Sequence, residues 1–421
     1  MREPQKADPP GVPARRAALR ILDGVLRRGQ ALESALEGAG QGLPPNDRGL
    51  AHAIAAEALR RLPDLDALID SATRQRLPDD AKARFALRIA LVQALALGTP
   101  GHAAISTVLP LVDGGPRKLV HGVFGTLMRA NKGLPDQPTL PDPVALRWHA
   151  AWGDQFIEDA EKAIATPPPI DLSLRDADAA PDIEGTSLMP GQLRLDARAP
   201  VTGLDGYAEG GWWVQDLAAS LPARLLGKGA GSVLDLCAAP GGKTLQLAAS
   251  GWDVTAVDIS ESRLARLREN LARTGLSAKV IAAGLLDWSP KEPADAILLD
   301  APCSATGIFR RHPDVLHRVR PSMIAEMAEL QGKLLARAAK WVKPGGTLVF
   351  ATCSLEPKEG EEQLARFLAE QDFTLLPIRA GELPDGVAPR PDGSLRTLPG
   401  MLADKGGLDG FFIARLRRNS P

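Results

Sequence analysis

The chain has 421 residues, 44% apolar and 24% charged, enough to bury two or three ordinary globular cores. Net charge is −1, yet residues 1–140 carry 19 Lys and Arg against 14 Asp and Glu, a mildly basic front part that suits a phosphate-bearing partner. Three cysteines, 66 and 50 residues apart, exclude a disulfide framework and show no metal-ligand spacing, which suggests a reducing cytoplasm and no metal.

Met1–Pro13 is charged and Pro-rich and does not read as a signal peptide. From Pro13 to about Lys132 the pattern predicts an all-α domain. Leu19, Leu22, Val25 and Leu26 share one helix face, and further helices are predicted over Asp47–Arg60, Leu65–Gln75, Ala81–Leu97 and Arg117–Arg129. Leu43-Pro44-Pro45, Leu62-Pro63, Leu77-Pro78 and Gly98-Thr99-Pro100-Gly101 read as the breaks between them. The greasiest run, Phe85–Leu97, contains Arg88 and Gln93 and is too short to span a bilayer, so no membrane contact is expected.

Four prolines within 131–143 predict a linker, and Pro143–Ile164 a short helix whose Trp148 and Trp152, four residues apart, suit core packing. Residues 170–215 suggest small strands in a connecting subdomain. From Ser232 the texture alternates. Strands are predicted over Ser232–Leu236, Asp253–Asp258, Ala278–Ala283, Ala294–Asp300 and Thr347–Thr352, with helices over Lys243–Ala249, Ser262–Thr274 and Pro321–Trp341 between them. A last strand covers Gly410–Leu416. The expected fold is α/β, a mostly parallel doubly wound sheet preceded by an all-α domain, with divisions at 1–132, 133–215 and 216–421.

Val233-Leu-Asp-Leu-Cys-Ala-Ala-Pro-Gly-Gly-Lys-Thr244 runs from a buried strand through a Gly-rich turn into a helix, the place where such sheets bind ligands. A P-loop is excluded because Cys237 stands where its first Gly is required, and no GxGxxG is present. Asp258 closes the second strand, where a carboxylate can accept both hydroxyls of a ribose. Cys303 and Cys353 follow two further strand ends, in Asp300-Ala-Pro-Cys-Ser304 and Ala351-Thr-Cys-Ser354, and should emerge at the same rim. A lone cysteine after a strand is usually a small buried hydrophobe; two beside a ligand turn point to chemistry.

The strings Leu236-Cys-Ala-Ala-Pro-Gly-Gly-Lys-Thr244, Asp300-Ala-Pro-Cys-Ser-Ala-Thr-Gly307, Ala351-Thr-Cys-Ser354, Arg310-Arg-His-Pro-Asp314 and Asp409-Gly-Phe-Phe412 resemble the signatures of the RNA cytosine-5 methyltransferase family over about residues 140–418. Asn46-Asp-Arg48, Pro100-Gly-His-Ala-Ala104 and Val120-His-Gly-Val123 are similar to the NusB RNA-binding fold. That pairing is the layout of the bacterial branch that modifies 16S ribosomal RNA. The resemblance implies a Rossmann-like, S-adenosylmethionine-dependent catalytic domain and a ribosomal RNA substrate; action as a monomer is the default expectation.

It also implies roles. Cys353 adds to carbon-6 of the base and makes carbon-5 nucleophilic; Cys303 helps release the product, as the base that removes the carbon-5 proton. Asp300 contacts the base edge and the cofactor. Cys237, Ala238, Ala239, Pro240, Gly241, Gly242 and Lys243, with Asp258, form the cofactor site. Arg310, Arg311 and His312 are expected to grip phosphates beside a flipped-out base. Two departures stand out: Gly284 occupies the position where the family carries an adenine-contacting carboxylate or amide, with Asp287 three residues on, and Ser173-Leu-Arg-Asp176 replaces Arg-x-Asn. Two rivals share these features, a tRNA cytosine-5 methyltransferase and a non-catalytic RNA-binding assembly or antitermination factor; intact cysteines weigh against the second and the NusB-like part against the first.

Overall fold

Proline in the first turn of a helix costs no hydrogen bond, since those N–H groups have no intrahelical acceptor. In the computed structural model, which describes residues 8–179, 181–195 and 201–420, the chain uses this repeatedly. Residues 1–7 of the Pro-rich start, and 180 and 196–200 of the connecting region, lie outside the described residues. Pro45 and Pro63, read from the sequence as breaks, instead open helices α3 and α4. The helical unit comprises α1 (Val12–Arg28), α2 (Leu32–Ala39), α3 (Pro45–Arg60), α4 (Leu62–Ser71), α5 (Lys82–Leu95), α6 (Gly101–Val108), α7 (Gly114–Arg129), α8 (Asp142–Trp152) and α9 (Asp154–Ile164).

Its core gathers the apolar faces of α1, α3, α5 and α7, including Ile21, Leu22, Ile54, Leu59, Leu87, Leu91 and Val120. The polar interruptions of the greasy α5 are buried and paired. Arg88 makes two 2.8 Å contacts to Asp66, Arg84 bonds both Asp66 and Asp70, and Gln93 accepts from Arg15 at 2.8 Å. The expected single helix over Pro143–Ile164 is two, because Gly153 takes φ 80° and ψ −177° and breaks the ladder. Trp148 is fully buried as expected, edge-on to Phe156 at 5.6 Å; Trp152 is half-buried.

The second unit opens with a small antiparallel sheet of β1 (Ile170–Leu174), β2 (Thr186–Met189), β3 (Gln192–Leu195) and β4 (Trp212–Val214), in the order β2-β3-β1-β4. A buried Arg194–Asp171 pair (2.6 and 2.8 Å) fastens it: Asp171 also accepts from the N–H of Leu217, and Arg194 donates to the carbonyls of Lys405 and Gly407. These bonds tie the small sheet to residues 217 and 405–407 of the same unit. Then follow α10 (Leu217–Arg224), β5 (Ser232–Leu236), α11 (Gly242–Ala249), β6 (Asp253–Asp258), α12 (Glu261–Thr274), β7 (Lys279–Ala282) and β8 (Ala294–Asp300).

After β8 the chain leaves for residues 309–319, including α13 (Val315–Arg318), which belong to the helical unit. There Phe309 packs 5.2 Å from Trp148, Arg60 donates to the carbonyl of Arg310, and His317 meets the carbonyl of Leu59 at 2.7 Å. Burial pushes His317 down to about 4, so its neutral ring is the donor. The compact units are thus 1–166 with 309–319, and 167–308 with 320–421, rather than the three consecutive blocks the linker suggested. The chain returns through α14 (Pro321–Trp341), β9 (Val342–Thr352), α15 (Glu361–Glu370), β10 (Phe373–Leu375), β11 (Leu395–Thr397) and β12 (Phe411–Arg418). The main sheet runs β10-β12-β9-β8-β5-β6-β7. Its β9-to-β7 half is parallel as expected, and its β10–β12 edge is antiparallel.

Candidate active site

Register decides which residues meet. Leu236 pairs with Val257 and with Leu299, Asp258 with Ala282, and Asp300 with Ala351. The four strands therefore end level, and Cys237, Asp258, the Asp300–Ser304 loop and Cys353 leave the sheet along one edge. Beneath Cys353, Gly307 and Gly410 meet backbone to backbone: Gly410 N–H donates to the Gly307 carbonyl at 2.8 Å, and Gly307 N–H to that of Cys353 at 3.0 Å. A β-carbon on Gly307 would stand 1.9 Å from the Gly410 oxygen, which accounts for both glycines.

The turn after β5 is tightly specified. Cys237 has φ 63°, the Ala239–Pro240 peptide is cis, and Gly241 has φ 110° with its α-carbon so close to α12 that a β-carbon would reach 2.2 Å from Leu267 Cδ1. Asp258 holds the turn by accepting from Ala239 N–H (3.1 Å) and Ser260 N–H (2.8 Å). Buried Asp235 accepts from Thr244 at 2.5 Å; burial pushes its carboxyl up to about 7. Just past Asp258, Ile259 is 79% exposed, an unusual placement for so apolar a side chain. Gly284 lies beside it. A β-carbon there would lie 3.6 Å from Ile259 Cδ1 and 3.7 Å from an Asp287 carboxylate oxygen, so Asp287 curls back to the position that Gly284 leaves empty. An apolar platform flanked by two carboxylates, beside a turn of close-approaching backbone, fits a ligand with a purine, a ribose and a charged tail.

Cys303 and Cys353 lie sulfur to sulfur at 3.4 Å, both half-buried. The hydrogen bond to Cys353, and then burial, hold the Cys303 thiol well above its ordinary value. Lys243 Nζ sits 2.7 Å from Asp300; burial opposes the ammonium, but Asp300 and then the charge of Cys353 hold it above the usual lysine value. The pair thus favours a cationic Lys243 at this edge of the sheet. The third cysteine differs: burial, then Asp300 and Asp258, push the Cys237 thiol up, which suits a packing residue.

Known proteins carry the same two parts. Residues 225–417 match the family described as 16S rRNA methyltransferase RsmB/F, and residues 12–126 match the NusB family. A ribosomal RNA small subunit methyltransferase B of Klebsiella pneumoniae subsp. pneumoniae is 35% identical over 446 residues, covering 96% of this chain and 98% of its own. The chain belongs to the 16S rRNA methyltransferase RsmB/F family.

The protein of the same description from Xanthomonas campestris pv. campestris is also 35% identical, over 85% of this chain and 88% of its own. Among solved structures, a methyltransferase homolog protein from Pyrococcus horikoshii aligns with 26% identity and TM-score 0.55, over 70% of this chain and 98% of that one. The crystal structure of PH0851 aligns with TM-score 0.73 and 23% identity over 98% of this chain, a likeness of fold. As an RsmB/F methyltransferase the chain is an S-adenosylmethionine-dependent RNA methyltransferase, and the ligand deduced from the rim is S-adenosylmethionine.

One expected group is placed differently in this RsmB/F chain. Arg310, Arg311 and His312 all fall in the helical unit, and Arg310 is only 2% exposed, so its guanidinium does not face a phosphate at the surface. The cause is Phe309, whose burial against Trp148 carries the next residue inward. Arg311 and His312 are half-buried, and burial lowers the imidazole's affinity for a proton. The Ser173–Asp176 departure is structural: Ser173 is buried against Gln192 at 3.0 Å and Arg175 bonds the Thr274 carbonyl. Ile259 escaped the sequence reading, although an isoleucine directly after the ribose-suited aspartate was its available signal. Among the described residues no group of three His, Cys, Asp or Glu side chains could hold a metal, and no helix is long and apolar enough to cross a membrane.

Proposed function

We propose that this RsmB/F methyltransferase modifies carbon-5 of a cytosine in 16S ribosomal RNA through a covalent Cys353 adduct. The observation that carries the reading is the 3.4 Å pair of sulfurs at the ligand-binding edge of the sheet. S-adenosylmethionine, when bound, supplies an electrophilic methyl group. Cys353, as thiolate, forms a bond to carbon-6 of the flipped base. With its ring nitrogen protonated from solvent and donating to the Asp300 carboxylate, the adduct carries nucleophilic density at carbon-5, which takes the methyl.

Bond formation removes the negative charge from Cys353. It also removes the hydrogen bond to Cys353, the first cause holding Cys303 protonated, so Cys303 becomes easier to ionise when a base is needed. It loses its proton to solvent, takes the carbon-5 proton, and the carbon-6–sulfur bond breaks to return the Cys353 thiolate and release 5-methylcytosine.

For the cofactor, Asp258 takes the ribose hydroxyls, Ile259 one face of the adenine and Asp287 its amino group, while the backbone of Cys237–Lys243 and Asp300 hold the amino-acid end. Asp258→Asn keeps the size but removes the charge and sets an NH2 group against one of the two N–H donors that Asp258 accepts. It is expected to weaken S-adenosylmethionine binding on the order of 10- to 100-fold in calorimetry without RNA.

RNA approaches through charge. Arg117, Lys118, His121 and Arg129 are exposed along α7, and residues 114–135 contain no Asp or Glu. With the chain acting as a monomer in the bacterial cytoplasm, 16S rRNA is bound free or early in assembly. Incubation with methyl-labelled S-adenosylmethionine and unmodified 16S rRNA should yield one labelled 5-methylcytosine, located by bisulfite sequencing. Absence of transfer, or transfer to tRNA alone, sinks the proposal.

A further inference from the structure

Glu359 has no exposed surface, and its carboxylate bonds the two cysteine loops and Gln331 of α14. One oxygen accepts from Ser304 N–H at 2.8 Å and from Gln331 at 3.1 Å; the other accepts from the hydroxyls of Ser304 and of Ser354, the latter at 2.5 Å. Ser304 directly follows Cys303, and Ser354 directly follows Cys353. The two serine hydroxyls are 3.3 Å apart, and Thr306 links the same loops by bonding Leu355 N–H at 3.0 Å. Gln331 also reaches the carbonyl of Pro302 at 2.9 Å, while the Glu359 carbonyl accepts from Thr352 at 3.0 Å. Residues on both sides of each cysteine are therefore bound to Glu359 or to its partner Gln331.

Burying a carboxylate is expensive, and a purely structural tie between two loops could use neutral groups. What charge adds here is strong acceptance from both loops at once, and a negative centre behind the thiols. We propose that Glu359 is the positioning residue of this active site, clipping the Pro-Cys-Ser and Thr-Cys-Ser loops together so that attack and release are performed by sulfurs in contact. This rests on the two-thiol reading above. The negative charge of Glu359 is among the influences that hold Cys303 protonated before attack. Burial in turn raises the Glu359 carboxyl itself, against the stabilising bonds of Ser304 and Ser354. The other charged groups around the two loops include the Lys243–Asp300 pair, the buried Glu356, whose N–H donates to the Ser354 hydroxyl at 3.1 Å, and Arg396, which donates to the Ser354 carbonyl and pairs with Glu361 at 2.6 Å.

Glu359→Gln retains length and one acceptor but loses the charge. The expected result is kcat lowered roughly 10- to 100-fold, KM for RNA and S-adenosylmethionine within about threefold, and the basic limb of the kcat–pH profile moved to lower pH. Ser354→Ala, which unties one loop and leaves the carboxylate in place, should lower kcat with the same unchanged KM values, and it carries the test if Glu359→Gln does not fold. A wild-type kcat and pH profile in Glu359→Gln, or a wild-type kcat in Ser354→Ala, overturns the inference. Cofactor affinity and kcat falling together in a folded Glu359→Gln also overturns it, since the residue would then only hold the fold. Failure of wild-type protein to methylate rRNA would instead remove the proposed function itself.

Discussion

Cys303→Ala is expected to convert the enzyme into a trap. Attack by Cys353, methyl transfer and formation of the carbon-6–sulfur bond need only groups that the variant keeps. Removal of the carbon-5 proton needs a base, and Cys303 is the ionisable side chain that the described residues place against Cys353, at 3.4 Å. Lys243, whose ammonium is favoured by Asp300 at 2.7 Å, is poorly suited to take its place. Turnover should fall roughly 10²- to 10⁴-fold, the usual worth of a positioned base. A protein–RNA species that survives boiling in denaturant should accumulate to nearly one per active site when RNA and S-adenosylmethionine are both present. Gel mobility and mass of the nuclease-digested adduct read this directly. Appearance of the adduct in Cys353→Ala instead would invert the two roles.

The pattern of what the sequence revealed follows from the range of the forces involved. β5, β6 and β8 coincide with their expected bounds because a strand buried on both faces must be a continuous apolar run. The cysteine rim was legible for the same reason: residues just past such runs in a parallel sheet must emerge together. Helices α2 and α6 escaped, since each spans only eight residues and has few apolar side chains to mark a face. In α15 to β11 the elements are short and held by packing on β9 and β12, so local pattern says little.

Arg310 shows the limit most sharply. Two arginines and a histidine after a catalytic loop look the same in sequence whether solvated or buried. Only the neighbouring Phe309–Trp148 contact, across 161 positions, turns the first of them inward. Glu359 was illegible for a similar reason. Its partners Ser304, Gln331 and Ser354 come from three separate elements, and a glutamate seven residues after the β9 strand end gives no sign that it is buried. Short-range chemistry around a Gly-rich turn can be read from spacing; a carboxylate that braces two loops cannot.

Cys353→Ala should abolish methyl transfer, by on the order of 10⁴-fold or more, because no step precedes formation of its bond to carbon-6. Without that bond carbon-5 of cytosine stays too weakly nucleophilic for the bound methyl donor, however well both are positioned. The loss should therefore lie in kcat alone. The Asp258 and Gly241–Gly242 side of the site is untouched, so S-adenosylmethionine should bind within about twofold of wild type, and RNA binding through α7 should persist with its salt dependence intact. Cys353→Ser separates nucleophilicity from size. A serine hydroxyl fills nearly the same space but is essentially un-ionised at neutral pH, so it should be as inactive as alanine. The double variant Cys303→Ala, Cys353→Ala supplies the cleanest reading: it should form no adduct, because trapping by the first substitution depends on the sulfur removed by the second. Persistent adduct in the double variant would mean that a group other than Cys353 attacks the base.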